Sequence, residues 1–155
     1  MLYLDASALA KRYFHEKGSD GIASRFESGE TIFTSILSFA EIHSTIARKF
    51  REKEYGREEF SRLRDAFQND WLFSLSVLEL DLRAMVALPL ILENFPLRAG
   101  DAIHLSTAIG LKDGIQAGVF TGRTGETLEF GVADKRLAQA ALQYGMKVFD
   151  PEQQA

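Results

Sequence analysis

The way the apolar runs end constrains this chain more than any other feature. Leu2, Tyr3 and Leu4 form a short apolar run that stops at an acid, Asp5, and Ser7 then opens a stretch in which Leu9 and Tyr13 share a helical face. A strand that turns straight into a hydroxyl-capped helix belongs to the β-then-α alternation of parallel sheets. The pattern continues along the chain. A short helix is expected from about Asp20 to Glu27, and the β-branched run Thr31 to Thr34 reads as a strand. Ser35 would cap a long helix running to about Lys53, with Phe39, Ile42, Ile46 and Phe50 at helical spacing. Arg57 to Gln68 makes the returning helix, and Leu72 to Val77 alternates like a strand. Leu78 to Asn94 is helical in character, with Pro89 set to kink or split it. Asp101 to about Lys112 follows as another helix. Asp113 to Glu126 is the least regular stretch, and Thr121 to Gly125 reads as a turn. Thr127 to Ala133 is a strand ending in Asp134, Lys135 to Tyr144 a helix closed by Gly145, and Met146 to Phe149 the last strand. The expectation is an α/β protein, a three-layer α/β/α sandwich with a central, mainly parallel sheet, in one domain over residues 1–155.

Composition narrows the chemistry. The absence of cysteine excludes disulfides, a thiolate nucleophile and any Cys-ligated metal centre, and fits a reducing, cytoplasmic setting. Asp5 interrupts the apolar start and no basic segment precedes it, so no signal peptide is expected. The longest apolar run, Met85 to Leu92, contains Pro89 and is too short to span a bilayer, so no membrane partner is expected either. A net charge of -4 counts against a general electrostatic nucleic-acid binder. It suits an enzyme that meets phosphates through cations held by carboxylates.

Four acids are placed for that role. Asp5 and Asp134 end strands that feed helices, Glu41 lies about two turns into the helix after the second strand, and Asp101 opens a later helix. In a parallel sheet all four project over the C-terminal edge of the strands, where sites of open α/β folds lie. Clustered carboxylates repel unless a cation neutralises them. Hard divalent cations favour oxygen ligands, and Mg²⁺ binds few carboxylates while keeping waters and phosphate oxygens. Metal-assisted phosphodiester hydrolysis follows from such a set.

The ordered set Leu4-Asp5-Ala6-Ser7, Thr34-Ser35 with Glu41, Leu97-Arg-Ala-Gly-Asp101-Ala-Ile-His104 and Ala133-Asp134-Lys-Arg-Leu137 resembles a PIN-domain ribonuclease, and within that family the VapC-type toxins of toxin–antitoxin pairs. The resemblance implies an α/β/α sandwich, Mg²⁺ or Mn²⁺, endonucleolytic cleavage of RNA, homodimerisation, and inhibition by a cognate antitoxin. On it, Asp5, Glu41, Asp101 and Asp134 are the catalytic, metal-holding acids. A flexible antitoxin segment would cover the acids with a cationic side chain, anchored on the apolar helix pair around Phe39 to Phe67. Two departures stand out. Val132 occupies a position where family members often carry Thr or Ser, and the Gly-rich stretch before the fourth strand is longer than usual.

Plainer roles compete at several positions. Ser7 is an N-cap, or else a contact to Asp5 or to a metal-bound water. Ser38 to Glu41 spells a capping box, which would put Glu41 at a helix start, whereas a cap at Ser35 places it in the second turn, facing the site. His104, on the same helix face as Asp101, is expected to pack and hydrogen-bond beside the site; a proton shuttle is the sharper alternative. His15 and His43 lack any zinc spacing. The basic run Arg48 to Arg57 is interleaved with Glu52 and Glu54, as in a solvated helix end. At the level of function, the alternatives are a PIN nuclease of RNA processing without an antitoxin, and a PIN-like binding module whose site has decayed.

Overall fold

The computed structural model describes residues 1–119 and 127–153, so the turn expected at Thr121 to Gly125 lies outside the described residues. The sheet has five parallel strands, β1 (Leu2–Leu4), β2 (Ile32–Ser35), β3 (Leu75–Leu78), β4 (Glu129–Gly131) and β5 (Lys147–Phe149), in the order β3-β2-β1-β4-β5. Helices fill the connections: α1 (Ala6–Ala10), α2 (Ser19–Glu27), α3 (Leu37–Arg51), α4 (Arg57–Phe73), α5 (Leu82–Met85), α6 (Leu88–Asn94), α7 (Ala99–Gln116) and α8 (Lys135–Gln143).

Side chains alternate across the sheet and divide the core in two. Leu2, Leu4 and Ile32 pack against α1 to α4 through Leu9, Ile22, Ile42, Ile46, Leu63 and Phe67. Tyr3, Phe33 and Phe130 face Leu105, Ala108 and Leu137 of α7 and α8. Both faces are covered, which explains why the first strand reads as an unbroken apolar run. This is the expected α/β sandwich.

The chain winds outward from β1 to β2 and β3, then crosses back to place β4 on the other side of β1. The strand order therefore reverses between β1 and β4. A crevice opens beyond the carboxyl ends of strands at such a point. Leu4 pairs with Gly131 there, and a Cβ at Gly131 would lie 2.5 Å from a Leu4 methyl. Glycine lets the two central strands meet above the packed side chains.

Several elements differ from the expectation. α4 runs on to Phe73, so Leu72 and Phe73 end a helix instead of starting a strand, and both are left exposed. α7 extends to Gln116, with Gly114 inside it, and β4 is shorter than Thr127 to Ala133. The break between α5 and α6 falls before Pro89, which takes an early position in α6 where its missing N–H costs nothing. Among the described residues no helix is long and apolar enough to cross a membrane.

Candidate metal and active site

Asp5 follows β1 directly and caps α1. Its Oδ1 accepts the Ala8 N–H at 2.7 Å, and Ser7 donates its hydroxyl to the same carboxylate at 2.8 Å. The cap is therefore the acid, and Ser7 supports it instead of capping the helix itself. Asp5 is 3% exposed. Burial pushes its pKa up to about 6, opposed by His104, by the Ala8 N–H and by Ser7, and assisted by the negative charge of Asp101.

Glu41 lies in the second turn of α3, the position that a start after Ser35 implies. The capping-box alternative fails because the Ser38 hydroxyl is turned to Thr34 Oγ1, at 2.7 Å. Thr34 in turn donates to the Leu4 carbonyl at 2.8 Å, tying the base of α3 to the end of β1. Ser35 Oγ accepts the Leu37 N–H at 3.2 Å, a weak substitute for a true cap. Glu41 Oε2 is 2.8 Å from His104 Nε2. His104 is thus buried and hydrogen-bonded beside the site, as its place on the Asp101 face suggested.

Asp101 occupies the first turn of α7, where the helix dipole favours a negative charge. Its pKa is nevertheless raised, by burial first and by Asp134 second. Asp134 is exposed and caps α8, its Oδ1 accepting the Arg136 and Leu137 N–H groups at 2.8 and 3.0 Å. Asp5, Asp101 and Asp134 thus stand at helix starts near enough to interact: the charge of Asp101 raises the Asp5 pKa, and that of Asp134 raises the Asp101 pKa. None of the three forms an ion pair with Lys or Arg among the described residues.

The acids do not close into a ready cage: among the described residues no three of His, Cys, Asp and Glu group tightly enough to hold an ion. Mg²⁺ does not need one, because it binds through one or two carboxylates and completes its shell with water and phosphate oxygens. A buried carboxylate with no Lys or Arg paired to it among the described residues, beside a second acid whose pKa is also raised, is a donor set that fits such an ion.

The residues set aside in the sequence have other partners. His43 packs between Phe39 and Phe67. Arg48 and Lys49 pair with Glu52 and Glu54, the solvated helix end that their spacing suggested. Val132 is buried in the core layer under α7 and α8. One participant was missed. The Tyr3 hydroxyl lies 2.9 Å from His104 Nδ1, and the only sequence signal was a tyrosine in a strand otherwise made of leucines.

Comparisons with known proteins agree with this fold. No curated protein matches the chain in sequence. Among solved structures, FitAcB from Neisseria gonorrhoeae superposes with a TM-score of 0.70 at 15% identity, covering 99% of this chain and 99% of that one. VapBC2 from Rickettsia felis, bound to a DNA fragment from its promoter, gives a TM-score of 0.62 at 12% identity, over 96% of this chain and 98% of that one. At such identities the likeness is one of fold. The PIN domain profile matches residues 2–115, from the first strand to the end of α7, and so takes in Asp5, Glu41 and Asp101. The chain belongs to the PIN-domain family.

Proposed function

We propose that this protein is a Mg²⁺- or Mn²⁺-dependent endoribonuclease toxin, held inactive by a cognate antitoxin. The observation that carries the reading is Asp5: a buried carboxylate at the strand-order reversal, with a pKa raised to about 6 despite the nearby His104, and with no Lys or Arg ion pair among the described residues. PIN domains are typically metal-dependent nucleases, which supports the reaction class. Asp5 and Asp101 would hold the ion, with Glu41 and Asp134 reaching it directly or through water. A divalent cation there supplies Lewis-acid polarisation of the phosphodiester and makes water a better nucleophile at neutral pH.

The protein's own groups do the positioning. Ser7 and the Ala8 N–H fix Asp5 in one orientation, and the Arg136 and Leu137 N–H groups do so for Asp134. Preorganised ligands of this kind avoid reorganisation during the reaction. A chain without cysteine has no thiolate nucleophile to offer, in keeping with attack by water.

The antitoxin rests on the VapC-type resemblance in sequence and on the likeness of fold to the VapBC2 and FitAcB complexes. Exposed Phe39 on α3 and Leu72 and Phe73 at the end of α4 offer it an apolar anchor. Its cationic side chain would then meet the unpaired acids, Arg matching carboxylates best. A homodimer would use another face, where Leu82 of α5, Val86 between the helices and Leu90 of α6 are exposed.

Induction in a bacterial host, with sequencing of new RNA 5′ ends, tests the toxin reading. Wild type should arrest growth and produce discrete new ends, and Asp5→Asn should do neither. Equal behaviour of the two proteins would contradict it.

A further inference from the structure

The Glu41 side chain is 37% accessible, yet one of its oxygens is held in place. Oε2 lies 2.8 Å from His104 Nε2, while Oε1 points toward Gly100, where an added Cβ would come within 3.0 Å. His104 itself is 2% exposed, and both of its ring nitrogens are engaged. Nδ1 meets the hydroxyl of Tyr3 at 2.9 Å. Tyr3 is fully buried in β1, the middle strand, and its ring stacks on Phe130 of β4 at 5.5 Å. A carboxylate can only accept, so Nε2 carries the hydrogen. In the neutral imidazole Nδ1 is then left to accept from the phenol. The hydroxyls of Thr107 and Ser35 also lie beside the Tyr3 oxygen.

We propose that Tyr3 and His104 are positioning residues: the chain Tyr3–His104–Glu41 ties the Glu41 carboxylate to the middle of the sheet, so that Oε2 is clamped and Oε1 is presented to the metal crevice. The inference rests on the metal-nuclease reading above. A free Glu side chain on a helix surface samples many rotamers and loses that freedom when it takes up a ligand. A buried tether removes the loss beforehand, and partners that orient a metal ligand influence affinity although they never touch the ion. Tyr3 reaches His104 across 101 residues of sequence, so the clamp exists only when β1, α3 and α7 are assembled.

Replacing parts of the chain separates this role from simple packing. Tyr3→Phe keeps the stacked ring and removes the hydroxyl. His104→Gln can still place an amide donor near the Nε2 position, whereas His104→Asn places its polar group near Nδ1 and cannot reach Glu41. The measurement is Mn²⁺ affinity by titration of the whole protein, each variant made in the wild-type and in a Glu41→Ala background. In the wild-type background Tyr3→Phe and His104→Asn should each weaken Mn²⁺ binding about ten-fold, and His104→Gln should lose clearly less. In the Glu41→Ala background none of the three should cause a further loss. Equal losses in both backgrounds, or no loss from Tyr3→Phe in the wild-type background, would overturn the clamp while leaving the nuclease reading intact. A wild-type protein that neither binds Mn²⁺ nor cleaves RNA would overturn both. Should Tyr3→Phe fold poorly, the contrast between His104→Gln and His104→Asn carries the test by itself, and equal Mn²⁺ affinities for that pair would count against the clamp.

Discussion

Asp5 is destabilising in the metal-free protein for the same reason that it suits a metal. Its pKa in the fold is about 6, against 3.8 for an unhindered Asp, so the folded state holds the proton more tightly than the unfolded chain. The stabilising effect of that proton is complete below the unfolded value and fades as pH rises through about 6. The difference amounts to about 3 kcal/mol at neutral pH. Asn also caps helices well, so Asp5→Asn should keep the bond from the Ala8 N–H and lose only the charge. In chelator, urea unfolding followed from about pH 4 to about pH 7 should show wild type weakening and the variant weakening less, with the gap widest at neutral pH. Parallel profiles would mean that Asp5 is not strained by burial. Which of two neighbouring cap formers supplies the oxygen, Asp5 or Ser7, was not legible in the sequence. Both residue types cap helices, and only the backbone turn at Asp5, with an extended ψ of 169°, selects the acid.

The order of strands and helices was readable because both periodicities are strong, and because β1 and β2 are buried on both faces. The end of α4 was not. Leu72 and Phe73 look like strand residues, yet they end a helix and stay exposed at 71% and 80%. Local pattern cannot tell a strand from a helix end kept apolar for another purpose. The acids at the strand and helix ends were legible for the opposite reason, since strand ends are marked by the sequence itself. The contact between Tyr3 and His104 was beyond reach, because it depends on how β1 and α7 are set against each other. Gly131 is a related case, a glycine inside a strand whose reason appears only across the ladder. Gly131→Ala would push a methyl group to 2.5 Å from Leu4 in the core, and overpacking of this kind costs about 1–3 kcal/mol. A lower urea midpoint with an unchanged slope is expected, and an unchanged or higher midpoint would show that the central strands have slack.

At the scale of the whole molecule, the apolar surface is distributed on separate faces. Leu82 of α5 and Val86 just after it are 87% and 76% exposed on the side of the sheet that α7 covers, whereas Phe39 and Phe73, the proposed antitoxin anchor, lie on α3 and α4 on the opposite side. If the first face joins two copies, Leu82→Glu with Val86→Glu should turn a dimer into a monomer in sedimentation without unfolding it. A variant of unchanged mass would place the dimer contact elsewhere. The acid crevice itself is built from parts distant in the chain, β1, α3, α7 and α8, which the PIN fold assembles at one sheet edge. In the function proposed above, these acids bind a divalent cation and with it cleave RNA. The most direct measurement is cleavage of a defined RNA by pure protein across a Mn²⁺ series, with wild type and Asp101→Asn side by side. Wild-type cleavage should rise with Mn²⁺ and vanish in excess chelator, while the folded Asp101→Asn variant should stay near background throughout. Undiminished cleavage by wild type in excess chelator, or wild-type rates from Asp101→Asn, would contradict the account.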